Sequence, residues 1–373
     1  MASVGPSGVS GRSIAREADV HHAQIQQMFG SVDQLLTEAV VRLRNRYRSE
    51  VFGATADLVD PLALADHPLF WRTTAQVSLD PGPIDLDVLV DGDPIREVAE
   101  RLAHRVPDRA ADLDLLIAGV WVAAPLGVLV FESPLRRGLG IGARQWPTCR
   151  QRFDARLADL ADIIELPQPA KHQAEPTSTP TVGSPPRSGD SRDRLVDAAE
   201  ELMATRLETG VPGRELAAHA GVNYGLVNHY FGGKAAVFDE ALVRLHQRFL
   251  ADVLEASDSA NPAWVHRVFS DHRPFFRAWA ARLLGDRATP DFKLLGMERL
   301  VDELATARGI GSVDDPARIL AVGDAMTAVA LQLGWVLLRP LLAEATSLDT
   351  TTSQLPAVHR WLLTDPGSDQ QSR

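Results

Sequence analysis

The sequence predicts an all-α protein made of two similar units in one chain. Three observations predict it: helical spacing of apolar residues in most segments, sparse aromatics beside abundant Ala, Leu, Val and Arg, and an internal repeat. No convincing run of alternating strand residues occurs. A chain of 373 residues exceeds one ordinary core, and 45% hydrophobic with 23% charged residues is a globular composition. The single cysteine, Cys149, excludes an internal disulfide framework and fits a reducing cytoplasm, the expected location. MASVGPSGVSGRS at the start has no apolar core of a secretion signal.

The repeat runs at a constant offset of 202: residues 9–46 match 211–248 without a gap, with 14 identities in 38 positions. Val9, Gly11, Arg12, Ala15, Ala18 and Val20 meet Val211, Gly213, Arg214, Ala217, Ala220 and Val222. Further along, DHPLFWR (66–72) parallels DHRPFFR (271–277), and GVLVFESPL (127–135) parallels GWVLLRPLL (334–342). One such match could come from chance between apolar helices; all of them in order point to a tandem duplication of a unit of about 190 residues.

Taken in order, residues 1–50 form a degenerate N-terminal helix-turn-helix lacking a first helix, and 51–166 a helical domain. Within the latter, 115–131 has 17 residues without charge, at the lower limit for a membrane span. Pro125 interrupts it and Asp114 and Glu132 bracket it, so a buried core helix is the reading, with no membrane partner. Residues 167–190 hold six prolines in 24 positions and read as a disordered linker. A second helix-turn-helix follows at 191–252, a second helical domain at 253–365 and a disordered tail at 366–373.

The stretch GVNYGLVNHYFGGKAAVFDEAL (221–242) carries the chemistry. Gly221 supplies the left-handed conformation that ends a helix, and Asn223 caps the next one. Val227 and Phe231 turn inward, leaving Tyr224, Gly225, Leu226, Asn228 and His229 outward, as reading a major groove requires. No carboxylate lies between Glu215 and Asp239, and Lys234 adds a cation at a helix start. The net charge of −11 excludes broad attraction to nucleic acid, so contact with DNA must be local.

GRELAAHAGVNYGLVNHYFGGKAAVFDEAL resembles the DNA-binding domain of the tetracycline-repressor (TetR) family over about 50 residues. The resemblance implies a helix-turn-helix domain followed by a helical domain for ligand binding and dimerisation. By position it places Tyr224, Gly225 and Asn228 against bases, and Asn223, Leu226, His229 and Lys234 by phosphates. At 228 the family usually has an aromatic residue. In the N-terminal copy Asp19 replaces the turn glycine and Val32 the cation. His22, Ala23, Gln26 and Gln27 would form a second head there, or that copy is retained as scaffold.

The family dimer implies a pseudo-two-fold arrangement of the two units within this chain, with helices near 111–132, 148–165, 315–338 and 350–363 forming a four-helix bundle. The expected partner is a double-stranded operator with unequal half-sites, read by a ligand-responsive repressor. The alternative is a regulator that has lost DNA reading and acts through protein partners. Further homodimerisation stays open. An apolar small-molecule effector would be enclosed by Trp71, Trp121, Trp264, Phe276, Trp279 and Trp335. The pairs Asp66–His67 and Asp271–His272 sit at helix starts and read as caps. No catalytic cluster, metal-ligand spacing or cofactor motif is found, so an enzyme is not expected.

Overall fold

The computed structural model describes residues 5–53, 66–80, 82, 84–85, 94–166, 190–256, 264–285, 290–310, 312, 315–345 and 348–363. Among these the regular structure is helical, with no strand. The expected linker at 167–190, except Asp190, and the expected tail at 366–373 lie outside the described residues.

Near the N-terminus α1 (Gly11–Glu17), α2 (His22–Phe29) and the long α3 (Val32–Phe52) follow one another. The chain continues through α4 (Pro68–Leu79), α5 (Pro94–Arg105), α6 (Ala111–Gly138) and α7 (Trp146–Ala161). Beyond Asp190 come α8 (Ser191–Thr205), α9 (Gly213–His219), α10 (Gly225–Phe231) and α11 (Lys234–Ala256). The last five helices are α12 (Trp264–Asp271), α13 (Arg273–Leu284), α14 (Met297–Ala307), α15 (Arg318–Ala345) and α16 (Leu348–Leu363).

The centre of the molecule is the crossing of α6 and α15, with α7 laid on α15 and α16 on α6. Both central helices are long and apolar enough to span a bilayer, yet 89% and 83% of their most apolar windows are buried inside the protein. Burying that surface against each other is what holds the two halves of the chain together. Glycine makes the crossing close: a Cβ on Gly127 would stand 1.9 Å from the Ala330 carbonyl oxygen, and one on Gly334 1.7 Å from that of Ala123. The contact is reciprocal, each glycine meeting the carbonyl four residues before the other.

A second reciprocal contact joins α4 and α13. Arg72 Nη2 donates to the Leu284 carbonyl at 3.1 Å, and Arg277 Nη2 to the Leu79 carbonyl at 3.2 Å. These carbonyls end their helices, where backbone acceptors lack an intrahelical donor.

One buried charge cluster crosses the halves in a single direction. Asp324 on α15 is fully buried and takes a two-pronged bond from Arg152 of α7, at 2.8 and 3.1 Å, with Arg308 on its other side. Arg156, also buried, donates to the Trp361 and Leu362 carbonyls at 2.7 and 3.0 Å and lies over the Trp361 ring. Burial pushes the Arg156 guanidinium below its usual range.

The Asp-His pairs do not cap. Neither α4 nor α13 has a side-chain cap at its start. Instead His67 pairs with Glu50 at 3.4 Å and His272 with Asp252 at 2.7 Å, both partners lying on the long helix before. Pro at the first turn already removes one orphan donor from each helix, so less capping is needed. Each imidazole also stands edge-on to a ring of that helix, His67 to Tyr47 and His272 to Phe249.

Candidate nucleic-acid interface

Helices α9 and α10 are joined by a turn that the sequence dictates closely. Gly221 has φ 64°, and its N–H and that of Val222 return to the carbonyls of Ala218 and Ala217 at 3.0 and 2.9 Å. Asn223 Oδ1 then accepts from the Gly225 N–H at 2.8 Å, satisfying a donor at the start of α10. Val227 is fully buried and anchors α10 on the core; Gly232, φ 73°, ends it.

Anchoring Val227 fixes what faces outward. Tyr224 (40% exposed), Gly225, Asn228 and His229 lie on the solvent side. Leu226, read from the sequence as facing outward, is half-buried and packs on the core. Tyr224 rests on Gly213 of α9, where a Cβ would meet its ring at 2.7 Å. The ring is thus seated by the absence of a side chain beneath it. His229 and Tyr230 rings meet edge-on at 5.0 Å.

The Lys234 ammonium, expected by phosphates, is held by backbone acceptors. Its Nζ donates to the carbonyls of Val211 at 2.7 Å and Glu208 at 3.0 Å. These acceptors belong to the 3-10 turn Glu208–Gly210 and its exit; the Glu208 carbonyl also takes the Val211 N–H at 3.2 Å, and the ammonium ties the turn to the start of α11. Arg214, exposed directly after Gly213, is a cation that the sequence reading passed over. Its identity with the exposed Arg12 at the 202 offset was the available signal.

Helices α1 and α2 present the same arrangement with other residues. Asp19 has φ 53°, the positive φ that Gly221 holds between α9 and α10. His21 Nδ1 accepts from the Ala23 N–H at 3.3 Å, as Asn223 does from Gly225. Gly11 lies under His22, with a Cβ position 2.6 Å from Nε2, as Gly213 lies under Tyr224. His22, Ala23, Gln26 and Gln27 are exposed, and Ile25 is buried in the role of Val227.

The named tryptophans are spent on packing. Trp121 donates to the Leu157 carbonyl at 2.8 Å, Trp279 stands edge-on to Phe131, and Phe276 stacks on Phe269. Trp71 meets Tyr47 edge-on, and Trp264 and Trp335 are buried. A cavity of about 470 Å³ lies elsewhere, walled by Gln76 of α4, Asp80 just past its end, Leu207, Phe238 and Arg282, with no tryptophan. Arg282 pairs there with Glu208 at 3.1 Å and with Asp239. Among the described residues no group of three or more His, Cys, Asp or Glu is placed to hold a metal ion.

Comparison with known proteins agrees with this geometry. Residues 195–241 match the family described as bacterial regulatory proteins, tetR family. The chain is similar to the HTH-type transcriptional repressor Rv3405c of Mycobacterium tuberculosis (strain H37Rv): 31% identical over 166 residues, 42% of this chain and 78% of the relative. The HTH-type transcriptional regulator Mb3439c of Mycobacterium bovis is similar to the same extent, 31% over 166 residues, with 42% and 78% covered.

Proposed function

The chain belongs to the tetR family of bacterial regulatory proteins, DNA-binding regulators of transcription, and from this premise we propose a ligand-responsive repressor that reads an asymmetric operator with two unequal heads. It acts on double-stranded DNA in the cytoplasm and performs no catalysis. The observation that carries the reading is the solvent face of α10, where Tyr224, Gly225 and Asn228 stand together with no carboxylate between Glu215 and Asp239.

In a major groove an exposed amide such as Asn228 offers a paired donor and acceptor to an adenine edge, and Gly225 lets the helix approach closely. Asn223, His229 and Arg214 lie around that face as phosphate contacts. Lys234 contributes by holding the turn before α9 in place.

Two features support a doubled chain whose halves stand about a near-dyad. Less than half of this chain, 42%, spans 78% of each relative, as a single unit would. The reciprocal Gly127–Gly334 and Arg72–Arg277 contacts have the form of a self-complementary interface. Two heads so related enter the groove about 34–36 Å apart. Because α2 offers His22, Ala23, Gln26 and Gln27 where α10 offers Tyr224, Gly225, Asn228 and His229, the half-sites differ. An effector in the cavity beside Arg282 would favour one spacing of the heads over another.

Footprinting with substituted protein tests this. Asn228→Ala and Tyr224→Ala should each change protection at particular bases, costing about 1–3 kcal/mol there, while Arg214→Ala weakens binding uniformly and lowers its salt dependence. Absence of a sequence-selective footprint at every salt concentration would instead favour the protein-partner alternative.

A further inference from the structure

The cavity beside Arg282 is walled from both halves of the chain. Gly5, Gln76 and Asp80 come from the first, and Leu207, Phe238 and Ala281 from the second. Beside it the 3-10 turn Pro6–Gly8 meets the turn Glu208–Gly210, so the cavity sits where the segments preceding α1 and α9 approach each other. Its volume of about 470 Å³ is that of a site for a drug-sized molecule, roughly 300–1,000 Å³.

Two polar groups on one wall are unspent. Gln76 is 3% exposed, yet among the described residues its side-chain amide has no hydrogen-bond partner. A buried amide left unpaired is costly, and this one borders the cavity, with Oε1 3.2 Å from where a Cβ on Gly5 would stand. One turn further on, Asp80 accepts from the Thr209 hydroxyl at a long 3.4 Å. Among the described residues it is the charged group of the lining without an ion pair. The other lining charges are paired, Arg206 with Glu215, and Arg282 with Glu208 at 3.1 Å and with Asp239. Arg277 lies near Asp80 but gives Nη1 and Nη2 to the Ala204 and Leu79 carbonyls, at 2.8 and 3.2 Å.

We propose that this cavity takes one protonated organic amine per chain, with a flat apolar body. The ammonium donates to the Asp80 carboxylate and to Gln76 Oε1, and the body lies against Leu207, Phe238 and Ala281. Charge selects this class. An anion would meet guanidiniums already held by carboxylates, and the Asp80 charge besides. A wholly apolar guest would leave the Gln76 amide as unpaired as before. Because Asp80 belongs to one half of the chain and Leu207 and Phe238 to the other, the bound amine ties the halves together. The proposal names the chemistry of the effector, and it rests on the reading of the chain as ligand-responsive.

The test uses three fluorescent probes with one naphthalene body: dansylcadaverine, a primary amine; dansylamide, which is neutral; and dansylglycine, an anion. With the full chain, dansylcadaverine should brighten saturably at one molecule per chain, with a dissociation constant below about 100 µM. Dansylamide should bind at least about tenfold more weakly, and dansylglycine more weakly still. Asp80→Asn should weaken dansylcadaverine by about tenfold or more while leaving dansylamide within about twofold. Ala281→Leu, which fills the apolar wall, should abolish binding of both. No saturable brightening by the amine below that concentration would overturn the proposal. So would tighter binding of dansylglycine than of the amine, or an amine affinity untouched by Asp80→Asn. The probe comparison is made on the unsubstituted chain, so it decides even where a variant fails to fold. DNA is absent from every arm, and footprinting of the unliganded chain judges the repressor reading separately.

Discussion

Gly127 and Gly334 lie against each other where α6 crosses α15, each with its backbone nitrogen within 3.0 Å of where the other's Cβ would be. No side chain fits at either position, and the carbonyls of Ala123 and Ala330 are closer still. Gly127→Ala or Gly334→Ala should therefore force the helices apart. Each should destabilise the chain by about 1–3 kcal/mol in urea unfolding, and by similar amounts, because the surroundings are reciprocal.

Gly213 has a different part, since the atom nearest its missing Cβ is in the Tyr224 ring. Gly213→Ala should displace that ring while leaving α9 as stable or more so, alanine being the better helix former. Sequence-specific affinity should fall by about 1–3 kcal/mol without a lower unfolding midpoint. A fall in both would mean that the glycine serves packing alone.

Asp324 is the acceptor shared by Arg152 and Arg308, with Arg156 beside it at 3.5 Å. Asp324→Asn removes the buried carboxylate that faces all three guanidiniums. Loss of a buried partner costs about 3–5 kcal/mol, which denaturant unfolding would report. Asp324→Asn melting like the parent would show the cluster to be hydrated and weak.

Much of the geometry of α9 and α10 was legible because the signals were local. Gly221, Asn223 and Val227 each act on backbone within a few residues, so type and spacing were enough to place the turn, the cap and the inward face. Asp19 was readable as a strained turn for the same reason. What the sequence hid were long-range acceptors. Nothing near Lys234 announces that its ammonium reaches the carbonyls of Glu208 and Val211, and His67 and His272 were read as caps because their partners lie on another helix. The Asp324 cluster was hidden likewise, since Arg152 lies 172 residues away.

His359 gives the fold an acid limit. It is buried beside His266, and burial pushes its imidazole down to about 3. Between that value and the unfolded value near 6.5, the unfolded chain holds a proton that the folded chain lacks. Stability therefore rises with pH across this window and falls on acidification. Going from pH 6.5 to 5 should cost about 2 kcal/mol, and His359→Leu should flatten that part of the profile.

Cys149 is fully buried, and burial pushes its thiol up to about 11. With almost no thiolate at pH 8 and no access, it should resist iodoacetamide in the native protein and react at once in denaturant. Rapid native labelling would show that α7 opens readily.

The most direct test of two unequal heads in one chain is selection of bound sites from random duplex DNA, with the mass of the protein–DNA complex measured on the selected site. Two dissimilar half-sites about one helical turn apart, held by a single chain, are the predicted result. A perfect palindrome held by two chains would contradict the account.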